Sequence, residues 1–163
     1  YQSSEVLDME QDIVHQLGFR MTVPTAYPFL HRYFTLLKAS DLVKHAASYY
    51  LERTLQEHDM LKWRPSEICA ADVVLALNHP ELAKDDGRTL DRRSVFLPTI
   101  VLEYTGFPRS ALYNCAKEIA KKVAEEPVTA SNRELLAVKK KYDQKKFLFI
   151  SSELSLPTLP NRR

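Results

Sequence analysis

One segment limits the fold more than any other. From Ile68 to Leu77 the chain reads Ile-Cys-Ala-Ala-Asp-Val-Val-Leu-Ala-Leu, with Asp72 its only charge. Pro65 suits the first position of a helix, where a missing N–H costs little. A helix that is apolar all round must be enclosed by protein. The segment therefore predicts a central helix, and the rest of the chain must supply amphipathic helices to wrap it. An unpaired carboxylate inside such a core costs roughly several kcal/mol. Asp72 is accordingly expected to reach a partner or the surface. Only three glycines occur in 163 residues. That scarcity argues against turn-rich all-β folds and against glycine-rich phosphate loops.

The wrapping helices are legible in turn. Residues 3 to 17 place Val6, Met9, Ile13, Val14 and Leu17 at helical spacing, with Ser3 or Ser4 as cap and Gly18 as a left-handed stop. Phe19 to Pro24 is expected to be extended, because Pro24 biases Val23 away from the helical region. A second helix runs from Thr25 to about Leu37 on a stripe of Phe29, Leu30, Tyr33, Phe34 and Leu37. A third opens at Ser40 or Asp41 and continues to about Glu57, with Leu42, Ala46, Tyr49, Tyr50 and Leu55 as candidates for burial. Asn78 to Arg93 reads as a long polar connection. A fifth helix stops at Gly106. A sixth starts at Pro108, carries Leu112, Cys115, Ala116, Ile119 and Val123 on one face, and is closed by Pro127. Ser131 and Glu134 form a capping box for a seventh helix through about Tyr142. An apolar run from Phe147 to Ile150 precedes the tail. The prediction is one all-α domain of six or seven helices.

Chemistry is sparse. Apolar residues make up 45% and charged residues 27%, the profile of a globular chain, and no run approaches 18 apolar residues. No membrane partner is expected. A net charge of +2 does not demand nucleic acid. Cys69 and Cys115 read as reduced core thiols. His15, His31, His45, His58 and His79 show no metal-ligand spacing, and no nucleophile or nucleotide motif occurs. No catalytic residue, metal or cofactor is therefore expected, and the chain does not read as an enzyme. Lys139, Lys140, Lys141, Lys145 and Lys146 are the strongest charge feature. They read either as a solvated helix end, where cations suit the dipole, or as a basic patch that serves as a nuclear-import address.

Several segments, in order, resemble a mitotic A/B-type cyclin. Glu5-Val-Leu-Asp-Met-Glu10 and Leu17-Gly-Phe-Arg-Met-Thr-Val-Pro-Thr25 are similar to a helix and link of that family. Phe29-Leu-His-Arg-Tyr33 follows its F-L-x-x-Y. Pro65 to Leu77 resembles its central P-S-x-I-A-A-A helix. Tyr104-Thr-Gly-Phe-Pro108 and Val138-Lys-Lys-Lys-Tyr142 resemble motifs nearer the end. Asp72, Pro108 and the long 78–93 connection depart from the family pattern.

The resemblance implies a cyclin-box-like domain with a five-helix core around the central apolar helix, an extra N-terminal helix and a C-terminal tail. Residues 1–24 then correspond to the last helix of an N-terminal box and the inter-box link, 25–150 to the C-terminal box, and 151–163 to the tail. A chain that starts at Tyr1 is on this view a piece of a longer one, with most of the first box outside it. By motif position, Glu10 corresponds to a glutamate that hydrogen-bonds the kinase's regulatory helix region, and Val14, Phe19 and Met21 to apolar residues packing there. Met9 and Ile13 are expected to face the domain instead, and Phe19 and Met21 to point the same way along an extended link. The implied function is a non-catalytic regulatory subunit that binds and activates a cyclin-dependent protein kinase in cell-cycle control, contacting it mostly through the N-terminal box. The alternative is a cyclin-fold adaptor of the transcription machinery that binds polymerase factors or DNA. Nuclear and cytoplasmic residence is expected. So is self-association through apolar residues of the first helix.

Overall fold

The computed structural model describes residues 1–79, 82, 98–125 and 135–153. Among them lie eight α-helical segments and no strand: α1 (Ser3–Gln16), α2 (Ala26–Leu37), α3 (Asp41–Thr54), α4 (Pro65–Leu77), α5 (Thr99–Thr105), α6 (Arg109–Ala124), α7 (Ala137–Tyr142) and α8 (Ile150–Glu153). The 3-10 turns His58–Lys62 and Lys145–Phe147 lie between them. The all-α architecture is the one the sequence predicts.

Helix α4 is the axis of the fold. Every residue from Cys69 to Leu77 is buried, and α2, α3 and α6 pack around the helix. The wrapping faces are the predicted stripes. Leu30, Tyr33, Phe34 and Leu37 of α2 are buried, as are Leu112, Cys115, Ala116 and Ile119 of α6. Each large side chain contributes roughly 1.5–3 kcal/mol through removal from water. Polar links fix the register. The Tyr33 hydroxyl donates to the Ser66 carbonyl at 3.2 Å, and burial pushes its pKa up to about 12. The Cys69 thiol donates to the Ala26 carbonyl at 2.9 Å. Both cysteines are free and buried.

Local chemistry closes the helices. Ser40 caps α3, its hydroxyl accepting from the Val43 N–H at 3.4 Å. Gly106 ends α5 at φ +67°, the left-handed position a glycine occupies at least cost. At the far end of α3 lies Arg53, only 3% exposed. Its Nη2 donates to the carbonyls of Lys122 and Glu125 at 2.6 and 2.8 Å. It thereby supplies donors to the last turn of α6, whose carbonyls have no intrahelical partner.

Several expectations are corrected. Asp72 reaches neither a partner nor the surface: it is 0% exposed, and neither carboxylate oxygen accepts a hydrogen bond. Leu55 is 76% exposed because α3 ends at Thr54 and the chain turns away before its side chain meets the core. The N-cap of α1 is Gln2 rather than a serine, and its N–H donates to the Glu5 carboxylate at 2.6 Å. Met9 and Ile13 do not face the domain, since α1 buries no residue at all. Phe19 is not extended but left-handed at φ +58°, directly after Gly18 at φ +55°. Its N–H donates back to the Val14 carbonyl at 3.1 Å, which extends the helix-end turn by one residue. The seventh helix begins only at Ala137, with Leu135 and Leu136 outside it. The Ser131–Glu134 box, Pro127 and most of the 78–93 connection lie outside the described residues.

Candidate functional site

The residues singled out for kinase contact sit on α1 and the link behind it. Glu10 is exposed, Val14 is half-buried, and Phe19 and Met21 are 66% and 56% exposed. The internal alternative, that all four pack within the chain, holds only in part and only for Val14. Gly18 and Phe19 set the geometry. Two consecutive left-handed residues fold the chain back on the last turn of α1, and the Phe19 ring meets the His15 ring edge-on at 5.4 Å. The aromatic group is thus held against the helix that carries Glu10 and Val14. Period-two alternation does not place Met21 beside it, because Phe19 is not in a strand conformation. Val6, Leu7, Leu17 and Val23 are also more than half exposed. Helix and link together carry an exposed set of apolar side chains, among which Glu10 is one of four exposed carboxylates on α1, with Glu5, Asp8 and Asp12.

The lysine cluster divides between two elements. Lys139, Lys140 and Lys141 end α7, where they complement its dipole. Lys145 and Lys146 belong to the 3-10 turn beyond Asp143. All five are exposed, but they do not form one uncommitted basic face. Lys141 pairs with Glu52 and lies over the rings of Tyr142 and Phe147 at 5.3 and 5.7 Å. Lys146 lies over Phe147 at 4.8 Å. The same Glu52 carboxylate accepts from the buried Tyr142 hydroxyl at 2.9 Å. Burial, then that acceptor, pushes the tyrosine pKa up.

Sequence reasoning missed a groove between α2 and α3. It encloses about 560 Å³. Leu30, Phe34 and Leu51 form its floor, Tyr142 and Phe147 close one side, and Lys38 and Lys44 stand at the α2–α3 corner. Lys38 ends α2 at φ +47°, which lets α3 begin three residues later. A signal was present in the basic residues gathered around that corner, but nothing local ties them to residues 141–147. No cluster of three or more metal-ligating side chains occurs among the described residues. No helix there is long and apolar enough to cross a membrane. The two thiols offer no nucleophile, since burial and then the nearby Asp72 push both pKa values up.

Comparison with known proteins places these elements. The family model for the cyclin C-terminal domain matches residues 24–156. Cyclin-A2-1 of Arabidopsis thaliana is 34% identical over 152 residues, 90% of this chain and 31% of that protein. Cyclin-A1-3 of Oryza sativa subsp. japonica is 30% identical over 165 residues, 98% of this chain and again 31% of the relative. The G2/mitotic-specific cyclin-B3 of Mus musculus is 38% identical over 77 residues, 47% of this chain and 6% of the mouse protein. The chain thus spans about a third of the length of the plant relatives it matches. These matches do not favour a transcription adaptor.

Proposed function

Because this chain belongs to the cyclin family through its C-terminal domain, we propose that the protein carrying it is a non-catalytic regulatory subunit that binds and activates a cyclin-dependent protein kinase in cell-cycle control. The observation that carries the reading is the state of α1. It precedes the matched domain, buries no residue in its own chain, and holds Glu10, Phe19 and Met21 out to solvent. On this reading residues 1–24 are the last helix of an N-terminal box and its link, 25–150 the C-terminal box and 151–163 the tail.

The mechanism is allosteric. An apolar surface from Val14, Phe19 and Met21, with Glu10 as acceptor, holds the kinase's regulatory helix inward. That position completes the Lys–Glu ion pair needed for phosphoryl transfer. The energy comes from binding the active conformation better than the inactive one. The C-terminal box buttresses this surface, and most of the kinase contact falls to the N-terminal box. The protein resides in nucleus and cytoplasm, with the lysines of 139–146 as the import address. In the isolated chain, the apolar face of α1 promotes self-association, since an uncovered patch of several hundred Å² marks an interaction site.

The test is a pull-down from lysate of the source cells with the full-length protein that carries this chain. The parent is expected to retain a protein kinase and its activity. A Glu10→Ala/Phe19→Ala double variant is expected to retain about tenfold less or below, a loss of about 1.4 kcal/mol. Recovery of polymerase components without a kinase, or equal kinase recovery by parent and variant, overturns the assignment.

A further inference from the structure

Leu148 and Phe149 are both left-handed, at φ +58° and +52°. That region costs an L side chain energy that glycine is spared. The sequence offers no glycine there, since none lies beyond Gly106. The anchors on either side account for the pair. Phe147 meets the Tyr142 ring at 4.7 Å and the His45 ring of α3 at 5.6 Å. Ile150 is buried and opens α8, which packs on α3 and α7. Only two residues separate these anchors, so the chain must turn within that length. It does so through the Leu148 and Phe149 N–H groups, which donate to the Lys145 and Gln144 carbonyls at 3.0 and 3.2 Å. Side chains tie the ends of the segment together. Ser152 Oγ donates to the Asp143 carboxylate, and Ser151 Oγ donates to the Lys139 carbonyl at 2.8 Å.

We propose that residues 143–152 are a strained strap that opens as a unit while the rest of the domain stays folded. Backbone strain persists only while the surrounding contacts outweigh it. Here those contacts are few: the Phe147 ring, the Ile150 side chain and two serine hydroxyls, of which Ser152 is exposed. Leu148 and Phe149 are each more than 40% exposed, so the strained residues themselves add little to the core. Release lets both return to ordinary backbone, and the strain therefore favours the open form. A segment with few buried contacts opens at a lower free energy than the whole molecule. Phe147 lines the α2–α3 groove beside Tyr142. Tyr142 lies before the strap and is bonded to Glu52 of α3. Opening thus withdraws one wall of the groove and leaves its neighbour in place, and the groove is wider in the open form.

Thiol labelling of the full-length protein that carries this chain tests the proposal. Ile150→Cys places a thiol under the strap. Cys69 and Cys115, buried in α4 and α6, serve as internal references for global opening. Labelling by iodoacetamide is read peptide by peptide under native conditions. The thiol at position 150 is expected to label at least about tenfold faster than either reference. Two further substitutions in that background read the strain, because alanine and glycine differ only by the Cβ that a left-handed residue tolerates poorly. With Leu148→Gly, position 150 is expected to label roughly threefold more slowly than with Leu148→Ala, since glycine relieves the closed form. At an unstrained position the order reverses, because the freedom of glycine favours the open chain. Labelling at position 150 no faster than at Cys69 and Cys115 overturns the strap, since the segment then opens only with the whole molecule. Fast labelling that is equal in the two variants, or slower with alanine, also overturns it, because α8 then frays without any release of strain.

Discussion

Replacing Asp72 by alanine is expected to stabilise the chain at pH 7 by roughly 1–3 kcal/mol and to flatten the fall of its stability with rising pH. The carboxyl is fully buried, and neither oxygen accepts a hydrogen bond. Among the described residues, the groups within electrostatic reach are the thiols of Cys69, one turn earlier, and Cys115 on α6. Burial alone pushes the Asp72 pKa well above the ordinary carboxylate range, so the core favours its neutral form. The folded state therefore holds this proton more tightly than the unfolded chain. Below about pH 4 both states are protonated and the penalty is absent. As pH rises from there toward the folded-state pKa, stability falls by about 1.4 kcal/mol per unit. The cavity left by alanine costs about 1 kcal/mol, less than the gain. Urea unfolding at a series of pH values decides the matter, with Asp72→Asn as the companion variant. Asparagine keeps the shape and the unpartnered polar atoms but cannot ionise, so it is expected to flatten the pH profile with a smaller gain. A parent profile that is already flat, or a less stable alanine variant, contradicts the account.

Removal of the Arg53 side chain is expected to act in the opposite direction and about as strongly. Arg53→Ala should cost about 3 kcal/mol or more and lower the melting temperature by about 10 °C. Arg53 joins the end of α3 to the end of α6 through the Lys122 and Glu125 carbonyls. It also donates to Gln56 at 2.9 Å and lies 3.7 Å from Glu57. Truncation leaves those carbonyls without their buried donor. Glu57 keeps a partner in Lys122 at 3.1 Å, so the loss falls on α6 rather than on the carboxylate. Arg53→Lys separates charge from geometry. A single ammonium restores the charge but not the planar fork that serves several acceptors, so it should recover about half of the loss. An alanine variant within about 1 kcal/mol of the parent would show that α6 ends equally well without the guanidinium.

The enclosed helix and its wrapping stripes were legible because their signal is local. Nine of the ten residues from Ile68 to Leu77 are apolar, and no partially exposed helix tolerates that. The misreadings arise where geometry beyond one element decides. Leu55 fits the helical period of α3, but the helix stops one residue before it. Asp72 was expected to find a partner because an ionised carboxylate must; neutralisation is the other way out, and sequence spacing does not reveal it. Arg53 falls on the stripe of Ala46 and Tyr50, and a charge on an apolar stripe was a readable sign of a buried anchor. The candidate contact residues Glu10, Val14, Phe19 and Met21 came from family motifs, not from periodicity. The groove was illegible for a plain reason. Its walls come from residues 27–52 and 141–147, and only the folded chain brings them together.

The enclosure of α4 also makes the helix a clock for the whole molecule. Its amides are screened on every side by α2, α3 and α6, so hydrogen exchange from Cys69 to Leu77 requires global opening. The amides of α1, none of whose side chains is fully buried, exchange through local fraying. Mass-resolved exchange is expected to find α4 the slowest segment and α1 among the fastest, with the α4 rate tracking global stability in every variant described above.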